Sequence, residues 1–185
     1  MNVDIIKAVE GLKEGKSLLY PTDTIWGLGC DATNEEAIDK VYEIKSRPKN
    51  KSFIVLVNSV AMLERYVSEF PEVCYDLIDL AEKPLTIIYD RPIGLSKSLL
   101  AEDGSIGIRV TKDLICNRII QGLRKPIVST SANISGEPNP KSFHDINSKL
   151  KESVDMILEE RWGDNMNQPS SIIKIGADQS VKVIR

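Results

Sequence analysis

Apolar and polar positions recur along this chain on two periods, and the switches between them mark its elements. Ile5, Ile6, Val9 and Leu12 fall at helical spacing and stop at Gly15, a glycine suited to end a helix. Ser17-Leu18-Leu19-Tyr20 then predicts a short buried strand ended by Pro21. Thr33 and Glu36 fit a capping box for the next helix, whose apolar face is Ala37, Ile38, Val41 and Ile44. Arg47-Pro48 closes it, because proline disfavours a helical residue before it. Residues 53–57 form a continuous apolar run, as in a strand covered on both faces. Val73, Leu77, Leu80 and Ala81 predict a further helix. Strands follow at 85–89, 105–110 and 126–129, with a helix over 114–123 between the last two. The stretch 131–147, rich in Ser, Asn, Pro and Gly, predicts a long loop, and strands at 171–175 and 181–184 finish the chain.

Alternating helices and strands predict α/β or α+β architecture. No repeat, low-complexity tract or linker interrupts the 185 residues, so a single domain over 1–185 is expected. With 42% hydrophobic and 28% charged residues the composition is that of an ordinary globular protein. A net charge of −3 argues against a broadly basic nucleic-acid binder and leaves room for a local basic cleft. Cys30, Cys74 and Cys116 are far apart and without Cys/His spacing, which supports neither a disulfide framework nor a zinc site. They read as buried reduced thiols. The N-terminal helix mixes acids into its pattern, unlike a signal peptide, and no apolar run approaches the ~20 residues of a membrane span. A cytoplasmic protein is the expectation.

Three segments could carry chemistry. Pro21-Thr22-Asp23-Thr24-Ile25-Trp26-Gly27-Leu28-Gly29 offers hydroxyls, backbone N–H groups and two glycines directly after a strand. The same residues would equally serve a strand-to-helix loop with capping threonines. Lys45-Ser46-Arg47-Pro48-Lys49-Asn50-Lys51 places four cations at a helix end, where they suit either the helix dipole or a polyphosphate. Ser129-Thr130-Ser131-Ala132-Asn133-Ile134-Ser135-Gly136 closes a buried strand with four hydroxyls and an amide, a set for phosphate, ribose or amino-acid head groups, or for a run of hydroxyl turns. Ser105 and Arg109 share one strand face, and an inward Arg109 would need an anionic partner. Neither GxxxxGK[ST] nor GxGxxG occurs, and no nucleophile elbow supports His144, the single histidine, which reads as a surface residue. No acidic pair has metal-site spacing, so neither a metal site nor a covalent nucleophile is expected.

Taken together and in order, these blocks resemble the YrdC/TsaC family. YPTDTIWGLG is similar to the family's YPTETVYGLG, KSRPKNKSFIVLV to its K-x-R-P segment and following strand, SIGIRV to its V-x-V-R strand, and PIVSTSANISG to its SAN-x-SG segment. The resemblance implies an α/β fold, a twisted mixed β-sheet flanked by helices with a positively charged central cavity. It implies condensation of L-threonine, bicarbonate and ATP to threonylcarbamoyl-AMP with release of pyrophosphate, for threonylcarbamoyladenosine modification of tRNA. Carried over residue by residue, Lys45, Arg47, Lys51, Ser105, Ser131, Asn133, Lys141 and Arg185 would bind ATP. Thr24, Arg109, Ser131 and Ser170 would bind threonine. Magnesium would come with ATP, held through phosphates and water. Partner proteins of tRNA modification, and a weak affinity for RNA, belong to the same expectation.

Two places depart from the family pattern. The usual PGPLT reads Glu82-Lys83-Pro84-Leu85-Thr86, and a histidine of two-domain relatives is Leu56. Pro169-Ser170-Ser171-Ile172 matches short bacterial members, and the end at Arg185 fits that single-domain branch. The alternative is a YciO-like RNA- or nucleotide-binding module of the same fold without synthase activity. A carbamoyl-transferring relative is a third reading.

Overall fold

The computed structural model describes residues 3–166, 168–176 and 180–185. Among these residues nine strands form one mixed sheet in the order β7-β1-β2-β6-β3-β5-β4-β8-β9. In chain order these are β1 (Leu18–Tyr20), β2 (Gly27–Gly29), β3 (Ile54–Val57), β4 (Leu85–Tyr89), β5 (Ile106–Val110), β6 (Ile127–Ser131), β7 (Met156–Ile157), β8 (Ser171–Ile175) and β9 (Val181–Val183). The β1/β7, β3/β5 and β4/β8 pairs are parallel and the other five antiparallel. This is the mixed α/β architecture the sequence led us to expect.

The helices are α1 (Val3–Lys13), α2 (Glu35–Ile44), α3 (Val60–Leu63), α4 (Val73–Asp79), α5 (Leu114–Leu123) and α6 (Ser148–Ser153). Helices α1 and α5 pack so closely that a β-carbon on Gly122 would lie 2.9 Å from Val9. α5 starts where Asp113 accepts from the amides of Ile115 and Cys116, and stops at Arg124 in the left-handed region. The core runs through Leu19, Leu28, Val55, Leu56 and Val128, all fully buried.

Local chemistry corrects several expectations. Asn34, not Thr33, caps α2 by accepting from Ala37, because the Thr33 hydroxyl and amide are held by the Asp31 carboxylate at 2.7 and 2.8 Å. The segment after Pro21 is no strand-to-helix loop: it returns as β2, antiparallel to β1 and β6. There Gly29 is obligatory, since a β-carbon would lie 1.8 Å from the carbonyl oxygen of Val128. β6 runs on to Ser131, and the loop after it holds a 3-10 turn at Phe143–Asp145. α4 ends at Asp79, leaving Leu80 76% exposed rather than on the core face.

Candidate active site

Helix α2 and the strands it precedes set the site's geometry. α2 terminates in a Schellman motif: Arg47 donates its amide to Tyr42 O (3.0 Å) and Ser46 to Glu43 O (2.9 Å). Ser46 supplies the left-handed residue at φ 49°, a conformation that costs a non-glycine residue energy. The turn sends Lys45 inward and Arg47 towards a cavity of about 300 Å³ over β6, β3, β5 and β4. Arg47 donates from Nε to Lys51 O (3.0 Å) and from Nη2 to Ser52 O (3.0 Å), and its guanidinium lies 5.2 Å from the Phe53 ring centre. Partial burial lowers its pKa from the usual arginine value.

At the inner end, Arg109 from β5 is 4% exposed. Its Nη1 donates to Thr24 Oγ1 (3.2 Å), its Nη2 forms an ion pair with Asp23 Oδ1 (3.2 Å), and its Nε has no partner. Burial raises the Asp23 carboxyl above its ordinary pKa, with Arg109 opposing the rise. Asp23 Oδ1 is itself without an aligned hydrogen bond, so the pair is an electrostatic contact rather than a bidentate clamp. The Thr22 hydroxyl donates to Ile25 O (2.7 Å), and Thr22 Oγ1 also lies 2.8 Å from Thr24 Oγ1. With the Thr22 proton so engaged, Thr24 donates to Thr22 and its lone pairs receive Arg109.

The C-terminal strands close the other side. Ser170 Oγ lies 2.8 Å from Thr86 Oγ1, and Arg185 Nε and Nη2 donate to Ser170 O at 3.3 and 3.1 Å. Ile172 binds the Arg185 backbone in both directions, which anchors that residue. The remaining lining includes Ser129, Thr130 and Ser131 from β6, Ser52, Asn139, and the apolar side chains of Ile25, Phe53, Ile54, Ile88, Pro169 and Ile172. Gly107 lies in the lining between them, where a β-carbon would come 3.2 Å from Thr86. Among the described residues, three arginines and no Asp or Glu line this cavity.

Of the residues singled out from sequence, Thr24, Arg47, Arg109, Ser131, Ser170 and Arg185 meet at this cavity. Lys45, Lys51, Ser105, Asn133 and Lys141 do not line it. Lys51 and Lys141 are exposed, and Ser105 is buried with its hydroxyl on Asp103 Oδ1 (2.5 Å). Lys45 is 1% exposed, and its Nζ donates to Ser131 O (2.5 Å), Asn133 O (2.7 Å) and Asn133 Oδ1 (3.1 Å). Burial, together with the neighbouring Arg47 charge, pulls its pKa down to about 7. Sequence reasoning missed Thr86 and Asn139 as site residues, and named Ser129, Thr130 and Asp23 only as members of candidate segments, without a role. Thr86 shares a face of β4 with Ile88, as Gly107 shares one of β5 with Arg109, a period-two signal visible only once the strand faces are known.

Behind the site, Phe143 from the loop after β6 stacks on Trp162 (centroids 4.2 Å, 7°) and tilts against Trp26 (5.2 Å). Ala132 donates its amide to Trp26 O (2.9 Å), tying β6 to the Thr24 segment. The three cysteines are free and buried, and His144 is exposed. The strand register sets Leu56 beside Arg109. Glu82 and Lys83 are exposed and border a separate cleft of about 260 Å³ that also reaches Asp23. Among the described residues no cluster of His, Cys, Asp and Glu could hold a metal ion, and no helix is long and apolar enough to cross a membrane.

Comparison with known proteins bears on the chain as a whole and on its fold. The threonylcarbamoyl-AMP synthase of Pseudoalteromonas translucida is 32% identical over 171 residues, 91% of each chain. The synthase of Acinetobacter baumannii is 30% identical over 152 residues, 78% of this chain and 80% of its own. Among solved structures, P. abyssi Sua5 complexed with L-threonine superposes with a TM-score of 0.86 at 26% identity. That match covers 98% of this chain and 53% of Sua5, so this chain spans about half the length of that protein. E. coli YciO shares the fold, with a TM-score of 0.83 at 24% identity over 98% of this chain and 87% of its own. The sequence pattern of the family described as telomere recombination, Sua5/YciO/YrdC, matches residues 10–185, and the chain belongs to that family.

Proposed function

We propose that this protein is a threonylcarbamoyl-AMP synthase, a nucleotidyltransferase that condenses L-threonine, bicarbonate and ATP and releases pyrophosphate. The observation that carries the reading is the buried Arg109 guanidinium, poised by Thr24 and Asp23 with Nε unpartnered, at one end of a cavity whose other cations are Arg47 and Arg185. The inner guanidinium suits the threonine carboxylate, and the outer pair suits phosphates. Ser131 and Ser170 supply neutral hydrogen-bonding groups between them. Asn133 acts from behind Ser131, and Lys51 and Lys141, both exposed, add positive charge without lining the cavity.

Threonine's amine adds to bicarbonate with loss of water to give a carbamate. A carbamate oxygen then attacks the α-phosphorus as the bond to pyrophosphate breaks. Charge grows on phosphate oxygens during that step, and prepositioned guanidinium groups stabilise it without reorganising. Holding both reactants in one cavity supplies much of the remaining acceleration. No covalent nucleophile is required. Among the described residues the lining offers magnesium hydroxyl and amide oxygens but no Asp or Glu carboxylate, which suits a cation that enters bound to ATP phosphates and water. The product would pass to partner proteins that modify tRNA in the cytoplasm, with RNA itself held weakly.

The test is threonine-dependent pyrophosphate release by the purified protein with bicarbonate, ATP and magnesium. Release that requires threonine is the expected result. Nucleotide or RNA binding without any release would overturn the synthase reading in favour of a YciO-like binding module.

A further inference from the structure

Lys45 is a cation from the segment that brings Arg47 to the cavity, yet it is buried beside Ser131 and does not itself line the cavity. Its ammonium carries three N–H donors, and three acceptors from one short stretch converge on it: Ser131 O, Asn133 O and Asn133 Oδ1. The Lys45 carbonyl in turn accepts from the Ser135 amide (2.9 Å). Residues 131–135 are therefore clasped to the end of α2 through both the side chain and the main chain of one residue.

The clasp reaches the cavity through Asn133. An ammonium beside the amide group demands that its oxygen, not its nitrogen, face Lys45. The amide nitrogen then points to Glu137 O (2.5 Å), and the amide oxygen also receives the Ser131 hydroxyl proton (2.5 Å). With that proton committed, Ser131 presents only lone pairs to the cavity it lines. Were the Asn133 amide reversed, Ser131 would lose its acceptor and become a donor to the ligand instead.

We infer that Lys45 is a positioning residue: it fixes the Asn133 amide and thereby makes the cavity-lining Ser131 hydroxyl an acceptor, rather than itself binding phosphate. Ser131 then suits an N–H or O–H of the substrates and not a bare phosphate oxygen. The inference rests on the synthase reading for its kinetic consequence, but the geometry it concerns can be probed without turnover.

Lys45→Met keeps the stem and removes the three donors. It is expected to lower kcat by about tenfold or more, while ATP affinity measured without threonine changes by no more than about twofold. Amide hydrogen exchange over residues 133–137 is expected to quicken in the same variant. Ser131→Ala should lose a similar factor, and the double variant should lose little more than either single one. Lys45→Arg distinguishes the roles further. A planar guanidinium would serve a phosphate but cannot meet three carbonyls converging on one nitrogen, so it should fail to restore kcat. The inference is overturned if Lys45→Met weakens ATP binding about tenfold, with exchange over 133–137 unchanged, or if Lys45→Arg restores full activity. Should Lys45→Met not fold, the wild-type Lys45 ammonium resonance decides: it should stay put on adding ATP, and a large shift would mean phosphate contact. If the wild-type protein makes no pyrophosphate, the synthase reading falls, while ATP affinity, exchange and this resonance still decide the role of Lys45.

Discussion

Arg47 commits Nε and one Nη2 hydrogen to the carbonyls of Lys51 and Ser52, which leaves three of its five N–H donors for the cavity. Arg47→Ala is therefore expected to raise the KM for ATP by about tenfold or more, the scale of one charge-assisted hydrogen bond, and to cost folding about 1 kcal/mol or less. Pyrophosphate kinetics and urea midpoints on the same preparation check both halves. Lys45 makes a different prediction. Its pKa falls to about 7 when folded, against 10.5 for an ordinary lysine. Below about 7 the unfavourable burial of its charge is fully felt. As pH rises towards 10.5 the folded chain sheds the proton before the unfolded chain does, and the penalty fades. Stability of the wild type relative to Lys45→Met should thus rise with pH across that window, and urea titrations of both proteins would show a flat difference if it does not. At this scale the sequence was partly legible. Arg109, in Ile-Gly-Ile-Arg-Val, announced an inward cation needing a partner, whereas the partner Asp23 was hidden because it lies 86 residues away in sequence.

Elements whose signals are local were read correctly to the residue. α5, β4 and β8 have the predicted bounds, because α5 carries its own helical stripe and Asp113 cap and each of the two strands is a short run rich in β-branched residues. β2 was not legible, since Gly27-Leu28-Gly29 has neither β-branched residues nor alternation, and its pairing with β6 is what makes it a strand. That pairing gives a strong prediction. Gly29→Ala would push a β-carbon to 1.8 Å from the Val128 carbonyl oxygen, a backbone atom that cannot rotate aside. A loss of about 3 kcal/mol or more is expected, with activity falling alongside stability because β6 carries Ser129, Thr130 and Ser131. A thermal unfolding midpoint equal to the wild type would refute the close approach. The cap of α2 shows the opposite failure: Thr33 fitted the local rule, and Asp31, two residues back, claimed its hydroxyl first.

At the scale of the molecule, the cavity collects residues from positions 24 to 185, so no single stretch of sequence contains it. Family order along the chain made six of its lining residues visible, all three arginines included, and composition would have argued the other way, with a net charge of −3 around such a cavity. What sequence could not supply was depth: that Lys45 turns into the protein while Arg47, two residues on, turns towards the cavity. The aromatic stack behind the site has a spectroscopic consequence. The chain holds two tryptophans, Trp26 and Trp162, and both touch Phe143 on the loop that follows β6. Trp26 adjoins Ile25 of the cavity lining and is fully buried, whereas Trp162 is only partly so. Intrinsic emission therefore reports on one place in the protein, as an unlabelled optical probe. Movement of that loop on adding ATP and threonine should change the intensity or wavelength, and Trp162→Phe should remove the more solvent-sensitive part. An emission spectrum blind to saturating substrates would mean that the stack, and the loop it anchors, stays still through the reaction.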